Sequence, residues 1–193
     1  MKTIAIFLTL IFSAFGQLAQ QQPTTHTVSG NFPRDLYGPV DNRMAGCVVV
    51  GPCIWGNADY ATATIQFYPP TGYRVKILCI RGDLISWIKT LPGDQPTPPE
   101  SKAGTLAGFE PPASTGSAQC NYCADNVPVY IQDTVSEKHP DSRAPYNYDN
   151  VDLMLGPENQ LVAKIAEFLN TTTKAIHLEI TYTIKFCYVP VRQ

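Results

Sequence analysis

AIHLEITYTIKFCYVP, residues 175–190, decides the fold class of this chain. Ile176, Leu178, Ile180, Tyr182, Ile184, Phe186 and Tyr188 fall on one parity; His177, Glu179, Thr181, Thr183, Lys185 and Cys187 fall on the other. Successive strand side chains point to opposite faces, so the pattern predicts a long strand with one apolar and one solvated face. A half-buried antiparallel strand has this alternation, and a helix does not.

Working outward, 61–68 (ATATIQFY) alternates in the same way, and 73–81 (YRVKILCIR) follows after Pro69-Pro70-Thr71-Gly72. Two alternating runs about a short Pro/Gly loop predict a hairpin. A further strand, 83–91, is expected after a turn at Gly82-Asp83, and a short one at 127–132. The segment 92–126 is rich in proline and glycine and reads as one long loop, either a binding surface or lid or a loosely ordered stretch. The polar stretch 137–150 reads as turns, and 28–46 as short extended pieces between turn residues.

One helix is expected, over 157–170 (PENQLVAKIAEFLN). Pro157 suits a first helical position, and Leu161, Ile165, Phe168 and Leu169 form one stripe. A strand paired with the terminal one is the alternative there. Together these elements predict a mostly β, two-layer antiparallel sandwich with at most one short helix, stabilised by disulfides. The long terminal strand is expected to carry a bulge or bend.

The first residues, MKTIAIFLTLIFSAFGQ, have the layout of a secretory signal: Lys2, a short apolar run, then small residues before Gln17. The expected organisation is a signal peptide at 1–16, a flexible arm at 17–27 and a single domain at 28–193. Removing 16 of 193 residues leaves 177, enough for one real core. The expected location is secreted, extracellular or periplasmic, with no membrane insertion after signal removal. Only Lys2 is lost among the charges, leaving 13 Lys and Arg against 16 Asp and Glu. With no basic block, nucleic acid is excluded as a partner.

Six cysteines in an exported chain predict three disulfides among Cys47, Cys53, Cys79, Cys120, Cys123 and Cys187. The expected pairs are Cys47–Cys53, Cys120–Cys123 and Cys79–Cys187, two local bridges and the pair left over. Cys120-Asn121-Tyr122-Cys123 does not open a helix, so a structural bridge is expected there rather than redox chemistry. Zinc would need further ligands from His26, His139 or His177, and no metal site is expected. Arg81-Gly82-Asp83 is expected to be an ordinary turn.

The candidate binding residues are Tyr146, Tyr148, Asp149 and Asp152. With Trp55 and Trp87, the tyrosines offer aromatic faces that pack on sugar rings. Asp125, Asp133, Asp141, Asp149 and Asp152, beside Asn126, Asn147 and Asn150, supply oxygen donors of the kind calcium takes, but without the D-x-D-x-D-G spacing. No cofactor is expected, calcium being the one ion considered. There is no G-x-S-x-G, and no nucleophile stands beside a histidine.

The expectation is therefore a non-enzymatic extracellular binding or surface-interaction module whose partner is a glycan or a protein. A hydrolase using carboxylates at 133–152, such as Glu137 with Asp141 or Asp149, is one alternative. A structural component of a surface assembly is another. Asn170-Thr171-Thr172 matches the glycosylation acceptor pattern.

Overall fold

The computed structural model describes residues 23–37, 40–41, 59–112 and 129–191. The signal segment 1–16, Cys47, Cys53, Trp55, Cys120, Cys123, Asp125 and Asn126 lie outside the described residues. Ten strands occur among those described, and no helix: β1 (Thr25–Leu36), β2 (Val40–Asp41), β3 (Asp59–Gln66), β4 (Tyr73–Lys89), β5 (Lys102–Glu110), β6 (Val129–Ser136), β7 (Asp141–Tyr148), β8 (Leu153–Met154), β9 (Gln160–Asn170) and β10 (Ala175–Pro190).

They form two antiparallel sheets. The first runs β1-β10-β4-β7, with β8 also on β4; the second runs β2-β9-β5-β6, with β3 beside β2 on the same edge of β9. Apart from the consecutive pair β5 and β6, hydrogen-bonded neighbours within each sheet are not consecutive in the chain, because it passes repeatedly from one sheet to the other. That is the wrapped double Greek key of a jelly roll.

β10 occupies the predicted residues and lies in the middle of the first sheet. Ile176, Leu178, Ile180 and Ile184 of its apolar face are wholly buried, and Tyr182 and Tyr188 pack against the core. Burying one such aliphatic side chain stabilises by about 1.5–3 kcal/mol. From the second sheet, Leu161, Ile165, Ala107 and Phe109 meet this face. The register of β10 on β4 shifts between Lys185 and Phe186. The expected irregularity is therefore present, and its extra residue, Leu78, belongs to β4.

The segment 157–170 is not a helix: Gln160–Asn170 is strand β9. Its apolar positions suit a strand equally, because β9 lies between two partners and is covered on both faces. Leu161, Ala163 and Ile165 face the core, and Lys164 and Ala166 on the opposite parity are also buried. A doubly covered strand loses the alternation by which strands are recognised.

The same cause hid β5, which crosses the expected long loop at 92–126 with Ala103 to Phe109 all buried. Small residues there admit close cover on both sides. β7 crosses the polar stretch 137–150; Pro145 is tolerated because β7 is a sheet edge. β1 is likewise one strand through Pro33, on the other edge, and it begins at Thr25, inside the expected arm.

The turn at Pro69–Gly72 exists, closed by Tyr73 N–H donating to Pro70 O at 3.1 Å with Gly72 at φ 83°. The hairpin does not. β3 pairs with β9 and β4 with β10, so this turn carries the chain between sheets. Nor is Arg81-Gly82-Asp83 a turn, since it lies inside the 17-residue β4. A Cβ on Gly82 would fall 1.9 Å from Thr181 O and 2.8 Å from the Tyr146 hydroxyl, so glycine serves close approach, not bending.

The Cys79–Cys187 bridge is not formed; both thiols are free and buried. Register separates them: Cys79 lies opposite Lys185 and Cys187 opposite Lys76, so they are not cross-strand partners. Asn170 of the glycosylation pattern is 2% exposed. Its Oδ1 accepts from Thr172 N–H and Oγ1 at 2.8 and 2.7 Å, and its Nδ2 donates to Lys174 O at 2.8 Å. That amide caps the turn into β10 and is closed to a glycan.

Candidate functional site

Sheet edges and strand ends place the chemically interesting side chains. Tyr146 points inward from β7. It is 8% exposed, its hydroxyl donates to Thr181 O at 2.6 Å, and burial pushes its pKa up. It is therefore no surface platform. Tyr148 is half-buried against the core, with its ring 6.5 Å from that of Tyr146.

Asp149, exposed beyond the end of β7, accepts from Asn147 Nδ2 at 2.8 Å and lies 3.5 Å from the Cys79 thiol. Burial, then Asp149, raises the pKa of Cys79. Asp152 adopts φ 49° and pairs with Lys76. The four candidate binding residues thus do not form one exposed aromatic surface.

The carboxylates considered for hydrolysis are likewise dispersed. Asp141 and Asp149 lie at opposite ends of β7, about 26 Å apart at ~3.3 Å per residue. Glu137 is held by Lys174 at 3.0 Å and by the Thr97 hydroxyl. Burial opposes its ionisation, but those two partners outweigh burial and lower its pKa. No group of three His, Cys, Asp or Glu fit to hold a metal occurs among the described residues.

Two other places concentrate function-bearing side chains, at opposite ends of the first sheet. At one end the last residues of β1, the first of β10 and the last of β4 bring together Asp35, His177, Trp87 and Lys89. Register sets Asp35 opposite His177 and His177 opposite Trp87. His177 Nδ1 lies 2.6 Å from Asp35 Oδ1, Lys89 Nζ donates to Asp35 Oδ2, and the imidazole stacks on the Trp87 indole at 3.8 Å. Lys89 and then His177 lower the pKa of Asp35. Each charged group here is already committed to a neighbour. Ser29–Thr183 and Asn31–Glu179 hydrogen bonds continue this link of β1 to β10 along the same outer face.

At the other end, an open groove of roughly 840 Å³ is lined by Pro23, Thr24, His26, Pro70, Tyr73, Tyr188 and Pro190. Its aromatic wall is braced from within. His26 stacks on Phe186 at 5.4 Å, approaches Tyr188 at 4.6 Å, and Phe67 meets Phe186 edge-on at 5.0 Å. The Pro70–Tyr73 turn bounds it, and Val191 N–H donating to Gly72 O at 2.8 Å pins the chain end there. Among the described residues, no carboxylate, lysine or arginine lines it. Sequence reasoning missed this groove because three short segments far apart in the chain build it; its only local signal was the recurrence of Pro, Tyr and His.

No protein-family model and no curated protein match this sequence. Among solved structures, similarity is found to one of Desmodium yellow mottle tymovirus (8% identity, 89% of this chain and 92% of that one, TM-score 0.31). Another is Trichodysplasia spinulosa-associated polyomavirus VP1 (8% identity, 85% and 96%, TM-score 0.35). A third is of turnip yellow mosaic virus (12% identity, 89% and 85%, TM-score 0.27). Likeness at these TM-scores has no bearing on function.

Proposed function

We propose that this chain is an exported, non-enzymatic β-sandwich that binds a neutral carbohydrate in the groove between Pro23–His26, Pro70–Tyr73 and Tyr188–Pro190. The observation that carries this is the groove's lining, which offers tyrosine, histidine and proline faces and the Thr24 hydroxyl, with no carboxylate, lysine or arginine among the described residues. Aromatic faces suit the apolar surfaces of sugar rings, and the volume lies within the ~300–1,000 Å³ of small-ligand sites. A proton-transferring carboxylate pair, which glycoside hydrolysis needs, is absent from the described residues of the lining. Export rests on the signal layout of residues 1–16.

In the oxidised compartment this implies, Cys47, Cys53, Cys120 and Cys123 form two local bridges, while Cys79 and Cys187 stay reduced. Alkylation and mass spectrometry of the native and denatured chain tests that part: two thiols should react, and only after denaturation.

The binding reading is tested on a glycan array with the full chain and its Tyr73→Ala variant. Binding to neutral glycans that the variant loses supports it. Silence across the array, or glycan hydrolysis by the wild-type chain, overturns it.

A further inference from the structure

One polar row crosses the inner face of the second sheet, in a core otherwise made of aliphatic and aromatic side chains. Glu167 of β9 pairs with Thr105 of β5, and Thr105 pairs with Asp133 of β6. Their direction follows from register. The adjacent row Ile165–Ala107–Ile131 belongs to the core, and strand residues two apart share a face. Glu167 and Thr105 are wholly buried. From the facing sheet, Ser86 of β4, also wholly buried, places its Oγ 3.4 Å from Asp133 Oδ2.

Two features of this row are unexplained by folding alone. The Thr105 hydroxyl is buried without a hydrogen-bond partner although it stands between two carboxylate-bearing strands. Half-buried Asp133 accepts from Thr134 N–H at 2.8 Å through Oδ1 but has no ion-pair partner among the described residues. A buried hydroxyl left unsatisfied is destabilising, and apolar replacement would be the simpler solution.

We propose that this row is a calcium site, with the Glu167 and Asp133 carboxylates and the Thr105 and Ser86 hydroxyls as its oxygen donors. All four donors are hard oxygens, which select calcium or magnesium over the softer transition metals. Calcium tolerates irregular geometry with six to eight oxygens, whereas magnesium demands a near-octahedral shell and gives up its waters reluctantly. A mostly dry interior therefore favours calcium.

Cross-strand neighbours on one face have Cβ atoms about 5 Å apart, so the two carboxylates start from about 10 Å and lean over the threonine to share an ion. The site differs from the loop aspartates singled out in the sequence, of which it uses Asp133 alone. Its donors come from four strands of both sheets, so the ion would clamp the layers together.

The test uses the full chain, stripped with EDTA and titrated with Ca²⁺ or Mg²⁺ while thermal unfolding and terbium luminescence are followed. Saturable Ca²⁺ binding in the ~10⁻⁴–10⁻³ M class is expected. At tenfold excess over the dissociation constant, Tm should rise by about 3–6 °C, and by much less with Mg²⁺. Thr105→Val and Asp133→Asn should each weaken Ca²⁺ binding at least tenfold, while Asp141→Asn leaves it unchanged.

Thr105→Val removes only the unpartnered hydroxyl, so without metal it should melt no lower than wild type. It decides the matter even if Asp133→Asn does not fold. Absence of any Ca²⁺-dependent rise in Tm overturns the proposal. So does a rise of the same size in Thr105→Val, which would place the ion elsewhere.

Discussion

The two ends of the first sheet are built on the same three strands and have opposite characters. At the Asp35–His177–Trp87–Lys89 end, every titratable group is bonded to another, and the aspartate is the hub. At the groove end there is little reactive chemistry, but aromatic and proline surfaces stand open and braced from behind. The difference teaches that a concentration of titratable side chains does not by itself mark a site. Charges satisfied by each other fasten an edge strand to its sheet, whereas unsatisfied apolar surface is what a ligand can cover.

The strongest way to break this comparison is through the strand both ends share. Ile180→Ala, in the middle of the inner face of β10, should destabilise the whole domain by about 2–5 kcal/mol in urea titrations. Both ends should then unfold in a single transition; separate transitions would mean that they are independent.

Next in size is Asn170→Ala, which removes the three hydrogen bonds that set the entry to β10 at the Asp35 end. A loss of about 1–3 kcal/mol is expected, with glycan binding by the remaining folded protein unchanged.

Asp35→Asn sharpens the contrast through pH. The Asp35 pKa is lowered, so its contribution is fully present above the ordinary carboxylate pKa of about 3.9 and is lost as pH falls through the lower folded-state value. The variant should lose roughly 1 kcal/mol at neutral pH, and its stability should fall less steeply than wild type below about pH 4. Thermal unfolding across pH 2–7 checks both.

Smallest in stability, within about 0.5 kcal/mol, is Tyr73→Ala, because that side chain is 41% exposed. Its effect should appear in ligand binding alone. Trp87→Ala should show the reverse, reduced stability with binding retained.

Legibility in the sequence followed cover. β10 could be read residue by residue because one face meets the core and the other meets water. β9 and β5 could not, because both their faces are buried and the alternation vanishes. β7 was hidden by Pro145 and its polar residues, which an edge strand accommodates. Among the candidate site residues, composition drew attention to aromatic rings and chose Tyr146, whose hydroxyl has its partner inside the molecule. The groove residues His26, Tyr73 and Tyr188 had no pattern to reveal them, since their neighbourhood exists only after the chain has wrapped.

By itself the sequence determined a β protein with a long terminal strand, that strand's inward face, and a turn at Pro69–Gly72. These depend on side-chain parity and backbone stereochemistry, which act between near neighbours. Only tertiary structure decided which sheet each strand joined, that 160–170 is extended, that strand register keeps Cys79 and Cys187 from facing each other, and where the groove opens. Such outcomes depend on contacts between residues far apart in the chain, and no local pattern encodes them.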